Sequence, residues 1–303
     1  MLLLLQILQT DSMLPQMKNK METRIYEITD TVKQKNEIEE IASLIKQGEA
    51  VAIPTETVYG IAADCFNDNA VKKIFEAKGR PSDNPLIVHI SEVNQIYSLV
   101  KEVPEKAKEL FDKYWPGPLT VILPKKECVS NTVSGGLPTV AVRMPSHPVA
   151  KAIIDAAGVP LAAPSANISG FPSPTSVTYV TDDMTGRLPA IVGGGDCDIG
   201  IESTVITLAT DPPVLLRPGA VTLEQLEEIL GEVEVHSAVL NPLENGMTEI
   251  LADVPMREMH DFTTYLKQTT RGMGDFTYDF VRYEQLPANL VSEVIVALNN
   301  SNE

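Results

Sequence analysis

Apolar and polar positions alternate along most of the chain in a pattern that predicts short buried strands separated by helices. Between residues 36 and 45 apolar side chains recur at helical spacing, and Gly48 follows where such a helix would end. The next segment, 50–53, is a short apolar run that stops at Pro54, as a buried strand does. The same pattern predicts helices over 69–78, 147–157 and 223–230, two further helical stretches before residue 119, and strands over 86–90, 119–123, 139–143, 161–163, 190–192, 203–207 and 214–216. These elements indicate an α/β fold with a mixed sheet that helices mostly cover.

The two ends of the chain differ from this central region. The apolar run at residues 1–8 is far shorter than the roughly 20 residues that span a bilayer, and it lacks the features of a secretory signal. We therefore predict a disordered extension over 1–20, with Met21 as the natural start, and a cytoplasmic protein without direct membrane contact. A turn-rich stretch near residue 246 precedes a second unit, with predicted strands over 248–254 and 276–283 and helices over 256–270 and 289–298. The predicted domains are 21–245 and 246–303.

The overall charge of the chain limits what it can bind. The 303 residues include 24 basic and 41 acidic side chains, which gives a formal net charge of -17. Because nucleic-acid affinity depends on a basic surface, direct tRNA binding is expected to be weak or absent, although a local basic pocket is compatible with this charge. The cysteines, Cys65, Cys128 and Cys197, are far apart, and no two of the four histidines are spaced i,i+4. This pattern predicts neither a disulfide framework nor a zinc site.

Sets of polar residues lie at the ends of the predicted strands, where open α/β sheets bind their ligands. The segments are PTETVYG (54–60), KGRPSDNP (78–85), WPGPLT (115–120), VRMP (142–145), APSANISG (163–170), ESTV (202–205) and LRPG (216–219). Each alone has a structural explanation: Thr55 fits a turn, and Lys78 and Arg80 fit a helix C-terminus, whose dipole favours cations. Considered together, the segments supply four cations to an acidic chain, which indicates a bound anion such as a nucleotide phosphate. These are Lys78, Arg80, Arg143 and Arg217.

These seven segments, in their order and spacing, closely resemble those of the YrdC-like threonylcarbamoyl-AMP synthases over about residues 22–240. The resemblance implies a twisted mixed sheet with a concave cationic cavity. It also implies an enzyme, a nucleotidyltransferase that joins L-threonine, bicarbonate and ATP into threonylcarbamoyl-AMP and releases pyrophosphate. That product is the donor for N6-threonylcarbamoyladenosine in tRNA, and downstream tRNA threonylcarbamoyl-transfer proteins would receive it. Longer members continue into a linker motif of the SPGMKYRHYAP type and a second domain, and the present sequence does not contain that motif.

The resemblance assigns roles to the residues at matching motif positions. The catalytic residues would be Lys78, Arg80, Ser165 and Asn167, and the ATP site would add Thr120 and Arg217. The L-threonine side would be lined by Thr55, His89, Arg143 and Ser203, of which Arg143 suits a carboxylate. His89 is interpreted as a ligand-positioning residue, and a general-base role stays open. Mg2+ is expected as a cofactor held mainly by ATP. Ser165 and Asn167 would complete the environment of the nucleotide and the magnesium, and no side chain is assigned as a direct metal ligand.

Two alternatives stand beside the enzyme. The first is a YrdC-type module that binds double-stranded RNA without synthase activity, which the net charge disfavours. The second is a protein that acts at the ribosome through its tail, because residues 246–303 resemble the second half of the last, ferredoxin-like α+β domain of elongation factor G. We also expect Lys78 and Arg80 to be exposed loop cations, so that alanine at either position would abolish turnover with little loss of stability.

Overall fold

The computed structural model describes residues 21–79, 84–169 and 171–235, together with the backbone of two strands at 238–242 and 248–252. The chain divides into two compact units, 1–251 and 252–303, and the description below concerns the first. The predicted extension 1–20, Arg80 and the predicted elements after residue 254 lie outside the described residues. The predicted domain boundary near residue 246 stays a prediction.

The described helices and strands follow the predicted alternation. The helices are α1 (Lys35–Lys46), α2 (Asp68–Lys78), a 3-10 helix (Val93–Ser98), α3 (Glu105–Tyr114), α4 (Asn131–Ser134), α5 (Pro148–Ala157), α6 (Val177–Met184) and α7 (Leu223–Leu230). The strands are β1 (Arg24–Glu27), β2 (Val51–Ile53), β3 (Gly60–Asp64), β4 (Ile87–His89), β5 (Leu119–Pro124), β6 (Thr139–Arg143), β7 (Leu161–Ala162), β8 (Ala190–Gly193), β9 (Thr204–Thr207), β10 (Val214–Arg217), β11 (Glu234–Val235), β12 (Ala238–Pro242) and β13 (Thr248–Ala252). None of these helices combines the length and the apolar character that a membrane span requires.

Most of the described strands form one mixed sheet. Its order is β1-β8-β2-β3-β7-β4-β6-β5-β9-β10-β11, and β12 and β13 form a separate two-stranded sheet. The sheet contains parallel pairs, such as β4 with β6 and β5 with β9, and antiparallel pairs, such as β5 with β6. The predicted α/β class with a mixed sheet is therefore confirmed.

Helices pack on both faces of the sheet because neighbouring strand residues point to opposite sides. Val51 and Ile53 of β2 belong to a buried cluster with α1 and α5, two helices that also pack against each other. Ala52, between them, belongs to a second buried cluster, to which α2, α3, α6 and α7 contribute. A strand that is covered on both faces exposes no side chain to solvent, so apolar residues are favoured at every position. This explains the continuous apolar run at 50–53.

Six described elements are not predicted by the sequence pattern: β1, β3, α4, α6, β11 and β12. The sequence of β3, GIAAD, consists mostly of small residues and directly follows the turn residues of segment 54–60, which conceal the start of the strand. Helix α6 contains several β-branched residues, which have low helix propensity. Val180 and Met184 of α6 are fully buried, so tertiary packing rather than local preference stabilises that helix.

Candidate active site

Four of the predicted site residues lie in one row across the sheet. His89 of β4 is paired with Arg143 of β6, and Arg143 is paired in turn with Thr120 of β5. Thr120 pairs with Val205 of β9, and Val205 pairs with Arg217 of β10. Because directly paired residues point to the same side of a sheet, the four polar side chains share one face. We call this set the sheet row: His89, Arg143, Thr120 and Arg217.

The sheet row lies on the face of the sheet that α1 and α5 cover elsewhere. Leu161 of β7, which pairs with His89, belongs to the buried cluster of those two helices. Val88, the neighbour of His89 on β4, belongs to the cluster on the opposite face. His89, Arg143 and Thr120 are each at most 3% exposed. Polar side chains buried to this degree need polar partners or a polar ligand.

A β-bulge brings Arg217 into the row. In the antiparallel pair of β9 and β10, Leu215 pairs with Ile206, but the next pair is Arg217 with Val205, so β10 carries one extra residue at Leu216. Leu215 is buried, whereas Leu216 is exposed. Regular pairing would place Leu216 opposite Val205, so the extra residue turns the arginine toward the site. The sequence pattern, which ends this strand at residue 216, gives no sign of the bulge.

Ser203, the residue before β9, joins the two ends of this network. Its Oγ lies 2.8 Å from Thr120 Oγ1, and Arg217 donates from Nη2 to the same Oγ at 3.2 Å and from Nε to the Ser203 carbonyl at 3.0 Å. Burial lowers the pKa of Arg217, while neighbouring Glu202 opposes this shift and the charge of Arg143 adds to it. Two guanidinium groups that repel each other on one face are stabilised when an anion binds beside them.

Arg143 is held by a carboxylate and by a turn. Its Nη2 lies 2.7 Å from Glu56 Oε1, and the side chains of both residues are 4% exposed. Its Nε donates to the Gly117 carbonyl at 3.2 Å. Trp115 fixes that turn, since its ring stacks on Phe111 with 3.9 Å between centroids. The WPGPLT segment therefore packs in the core and also orients Arg143.

Glu56 is a site residue that the sequence analysis misses. It belongs to segment 54–60, which was selected for its hydroxyls, and a single acidic residue in a turn has no periodicity that would distinguish it. Burial and the contact with Arg143 set it apart, and both depend on tertiary structure. A buried carboxylate beside a buried guanidinium identifies Glu56 as a site residue, and a sequence pattern cannot reveal that pairing.

The environment of His89 keeps its imidazole neutral. Its Nδ1 lies 3.3 Å from the Ile87 carbonyl. Burial, and then the positive charge of Arg143, lower the pKa of His89 to about 3. A group with this pKa accepts a proton poorly at neutral pH, which favours the ligand-positioning role over the general-base role.

Acid unfolding tests this view of His89. Because the folded-state pKa lies below the ordinary value of 6.5, the neutral imidazole contributes its full stability above pH 6.5 and loses it as pH falls toward 3. The unfolding free energy of the wild type relative to His89→Gln should therefore decrease below that pH, by up to about 1.4 kcal/mol per pH unit. Urea unfolding of both proteins between about pH 7.5 and about pH 4.5 measures this difference. A difference that stays constant over the whole range would contradict the assignment.

A second set of predicted residues gathers around Lys78, the last residue of α2. The Lys78 ammonium donates to the Ser165 carbonyl at 2.5 Å, to the Asn167 carbonyl at 2.9 Å and to Asn167 Oδ1 at 3.2 Å. Ser165 Oγ donates to the same Oδ1 at 2.6 Å. Gly79 ends the helix in the left-handed conformation, with φ of 63°, which a residue with a side chain adopts less readily. We call Lys78, Ser165 and Asn167 the lysine cluster.

The expectation that Lys78 is an exposed loop cation is wrong. Lys78 lies within α2 and is only 2% exposed. Its ammonium joins two carbonyls of the segment after β7, so it stabilises that segment as well as bringing positive charge there. Arg80 lies outside the described residues, and its exposure stays a prediction.

Thr55 forms a local turn in this structure. Its Oγ1 donates to the Val58 carbonyl at 2.6 Å and accepts from the backbone N–H groups of Thr57 and Val58, both at 3.3 Å. This arrangement is the turn that the sequence suggested as the structural explanation. A direct role in binding L-threonine stays a prediction.

Segment 54–60 contacts both the sheet row and the lysine cluster. Through Glu56 it reaches Arg143. At its other end, the Tyr59 carbonyl accepts a hydrogen bond from the Ala166 N–H at 2.8 Å, and Gly60 forms a β-bridge with Ser165. The two sets of predicted residues are thus connected through one segment. A single concave cavity that encloses both stays a prediction.

The described residues do not fit a magnesium ion held by protein carboxylates. Within the described ranges, no group of three or more histidine, cysteine, aspartate or glutamate side chains could hold a metal. Asn167 Oδ1 accepts hydrogen bonds from both Lys78 and Ser165. A lysine ammonium on that oxygen repels a second cation there.

Buried arginines and hydroxyls in one row of a mixed sheet are the features of an α/β protein with a candidate site suited to an anionic ligand. The model of the Sua5/YciO/YrdC family, described as telomere recombination, matches residues 43–219. The chain therefore belongs to the Sua5/YciO/YrdC family, and the resemblance inferred from the seven segments is confirmed. A second model, elongation factor G C-terminus, matches residues 226–294.

Two curated relatives and one solved structure are similar to this chain. The threonylcarbamoyl-AMP synthase of Pyrococcus abyssi is 55% identical over 198 residues, which cover 65% of this chain and 58% of the relative. The protein of the same name from Bacillus subtilis is 52% identical over 216 residues, which cover 70% of this chain and 62% of the relative. The chain thus spans about three fifths of these relatives' length. The crystal structure of P. abyssi Sua5 complexed with L-threonine has a TM-score of 0.69 at 39% identity, covering 92% of this chain and 88% of that one.

Proposed function

We propose that this protein joins L-threonine, bicarbonate and ATP into threonylcarbamoyl-AMP and pyrophosphate, as the donor for N6-threonylcarbamoyladenosine in tRNA. The observation that carries the proposal is the pair Arg143 and Arg217 on one buried face of a family-typical sheet. Relatives named threonylcarbamoyl-AMP synthase and a family structure complexed with L-threonine support the choice of substrate.

The two arginines are proposed to serve different ligands. The fork-shaped guanidinium of Arg143 suits the carboxylate of L-threonine, and His89 and Ser203 would line the same side. Arg217 would face the ATP, together with Thr120. The Ser203 hydroxyl, proposed for the threonine side, contacts both of these ATP-side residues. Thr55 would line the threonine side and Arg80 the phosphate side, as the family resemblance implies.

The lysine cluster is proposed to hold the nucleotide near this row. The segment that carries Ser165 and Asn167 is fixed by the Lys78 ammonium, whose contacts in this structure include three protein oxygens. Direct contact of Lys78 with a phosphate would therefore exchange one of these oxygens for a phosphate oxygen. Positive charge beside the phosphates stabilises the transition state in either arrangement.

These residues would act mainly by positioning the substrates and by neutralising the charge of the phosphates. The threonine amine must be neutral to form a carbamate, and the site must exclude water because the carbamate is unstable. The carbamate oxygen then attacks the α-phosphate in line, and pyrophosphate leaves. Magnesium bound with ATP would neutralise phosphate charge, and no described side chain is assigned to hold it. The sequence and the described residues supply no side chain that must act as a covalent nucleophile.

Omission of single substrates tests the proposal. The full chain should release pyrophosphate from ATP only when L-threonine and bicarbonate are both present, since each contributes atoms to the product. Pyrophosphate release that continues without L-threonine would contradict the reaction. A salt-sensitive shift of double-stranded RNA without any such turnover would instead favour the RNA-binding alternative.

A further inference from the structure

Glu56 carries hydrogen-bonding capacity that the described protein leaves unused. Its Oε1 lies 2.7 Å from Arg143 Nη2, yet the alignment of the two groups is not that of a hydrogen bond. Among the described residues, neither Glu56 oxygen nor Arg143 Nη2 has a hydrogen-bond partner, although all three atoms are buried. Charged groups in such a position are costly unless a polar ligand completes their contacts.

The backbone around Glu56 holds this carboxylate in place. The Glu56 carbonyl accepts a hydrogen bond from the Ile199 N–H at 2.9 Å. The turn formed by Thr55 precedes it, and the β-bridge of Gly60 with Ser165 follows it. Glu56 is therefore fixed at both ends of its segment, and its side chain is positioned rather than free on the surface.

The charges around Glu56 leave Arg143 as its principal counter-ion. The negative charge of Glu56 acts on His147, which caps the start of α5. Burial nevertheless lowers the pKa of His147, so its imidazole is mostly neutral at pH 7 and above. Burial raises the pKa of Cys197 to about 12, so this thiol stays protonated. Asp196 and Asp198, on the same loop, act on Cys197 alongside Glu56 and add only negative charge.

The two charges of an α-amino acid are complementary to the two charges of the pair formed by Glu56 and Arg143. Its carboxylate can bind the Arg143 guanidinium and its ammonium can bind the Glu56 carboxylate, so the zwitterion exchanges partners with the pair and leaves no charge unmatched. We propose that Glu56 receives the ammonium of the L-threonine substrate and accepts one proton from it, which produces the neutral amine that carbamate formation requires. This inference rests on the proposed function and names the group that prepares its amino-acid substrate.

The proton step balances without a further reactant. One N–H bond of the ammonium breaks, its electron pair stays on nitrogen and the proton passes to a Glu56 oxygen. Transfer is favoured because the substrate carboxylate then shares Arg143, and a buried carboxylate that has lost part of its counter-ion is neutralised by a proton. The amine and bicarbonate then give the carbamate and water. Glu56 returns its proton to solvent, so one proton is released per turnover.

Glu56→Gln in the full chain tests the inference, because glutamine keeps the shape and removes the charge. L-Threonine should bind this variant at least about 30-fold more weakly by calorimetry, a loss typical of a buried charge pair. The analogue 2,3-dihydroxybutyrate, which replaces the ammonium with a hydroxyl, should lose much less. Pyrophosphate release by the variant should fall steeply at neutral pH and recover as pH rises, because alkali supplies the neutral amine without a protein base.

Matched variants separate this role from a structural one. Glu56→Asp, which keeps the carboxylate, should retain the preference for L-threonine over the hydroxyl analogue. Glu49→Gln removes a carboxylate that pairs with Lys73 and should change neither affinity nor pH profile. Equal weakening of both ligands by Glu56→Gln, or an unchanged pH profile, would overturn the inference.

Two results keep this inference distinct from the proposed function. If the wild type neither binds L-threonine nor releases pyrophosphate with it, the proposed function fails and the inference fails with it. If the wild type does both and Glu56→Gln behaves like the wild type, only the inference fails. Should Glu56→Gln not fold, Glu56→Asp and the preference of the wild type for L-threonine over the analogue decide the outcome. A wild type that binds both ligands equally contradicts an ammonium contact.

Discussion

Arg143→Met should abolish threonine-dependent pyrophosphate release and lower the free energy of unfolding by about 3–5 kcal/mol. The stability loss arises because Glu56 would remain as a buried charge without its counter-ion. The activity loss arises because no other described guanidinium pairs with both His89 and Thr120 across the sheet. Urea unfolding and the pyrophosphate assay measure the two effects separately.

A double variant distinguishes the two effects of this change. Adding Glu56→Gln to Arg143→Met removes the buried, unpaired negative charge of Glu56, so the double variant should be more stable than Arg143→Met alone. Its activity should stay lost, because neither charge of the proposed amino-acid site remains. If the double variant is no more stable than the single one, the ion pair is not the source of the stability loss.

Lys78→Ala should also remove activity, and the structure adds a stability loss that an exposed cation would not cause. Three protein oxygens would lose a charged donor, at a cost of about 3 kcal/mol. Thermal or urea unfolding measures this loss, and nucleotide binding measures the effect on the site. The segment at 165–167 should loosen, since Lys78 joins two of its carbonyls.

Lys72 offers a matched control for this prediction. It lies on the same helix as Lys78, but its side chain is exposed. Lys72→Ala should therefore leave stability within about 0.5 kcal/mol of the wild type and leave turnover unchanged. Equal stability of Lys72→Ala and Lys78→Ala would show that the buried ammonium contributes little to the fold.

The sequence predicts the buried parts of the fold best. Segments such as 119–123 and 139–143 are mostly apolar, and the structure confirms β5 and β6 within a residue of those bounds. The prediction fails where packing overrides local preference. β3 consists largely of small residues, and α6 carries β-branched residues, yet both are held by buried contacts that no local pattern records.

The sequence predicts which residues belong to the candidate site, but it does not predict how they are arranged. Residues at the ends of strands, such as Ser165 and Ser203, can be selected from the sequence because ligands bind at strand ends. The sequence gives no sign of the register that aligns His89 with Arg143 or of the bulge that aims Arg217. The burial of Lys78 and the pairing of Glu56 are likewise set by contacts between distant segments.

The central claim is that this sheet face brings an amino acid, a one-carbon acid and a nucleotide together. Isotopically labelled bicarbonate supplied to the full chain with ATP and L-threonine measures this directly. We expect the label to enter an adenylate that also contains threonine, one for one with the pyrophosphate released. Pyrophosphate release with an unlabelled adenylate, or no adenylate that contains threonine, would contradict the account.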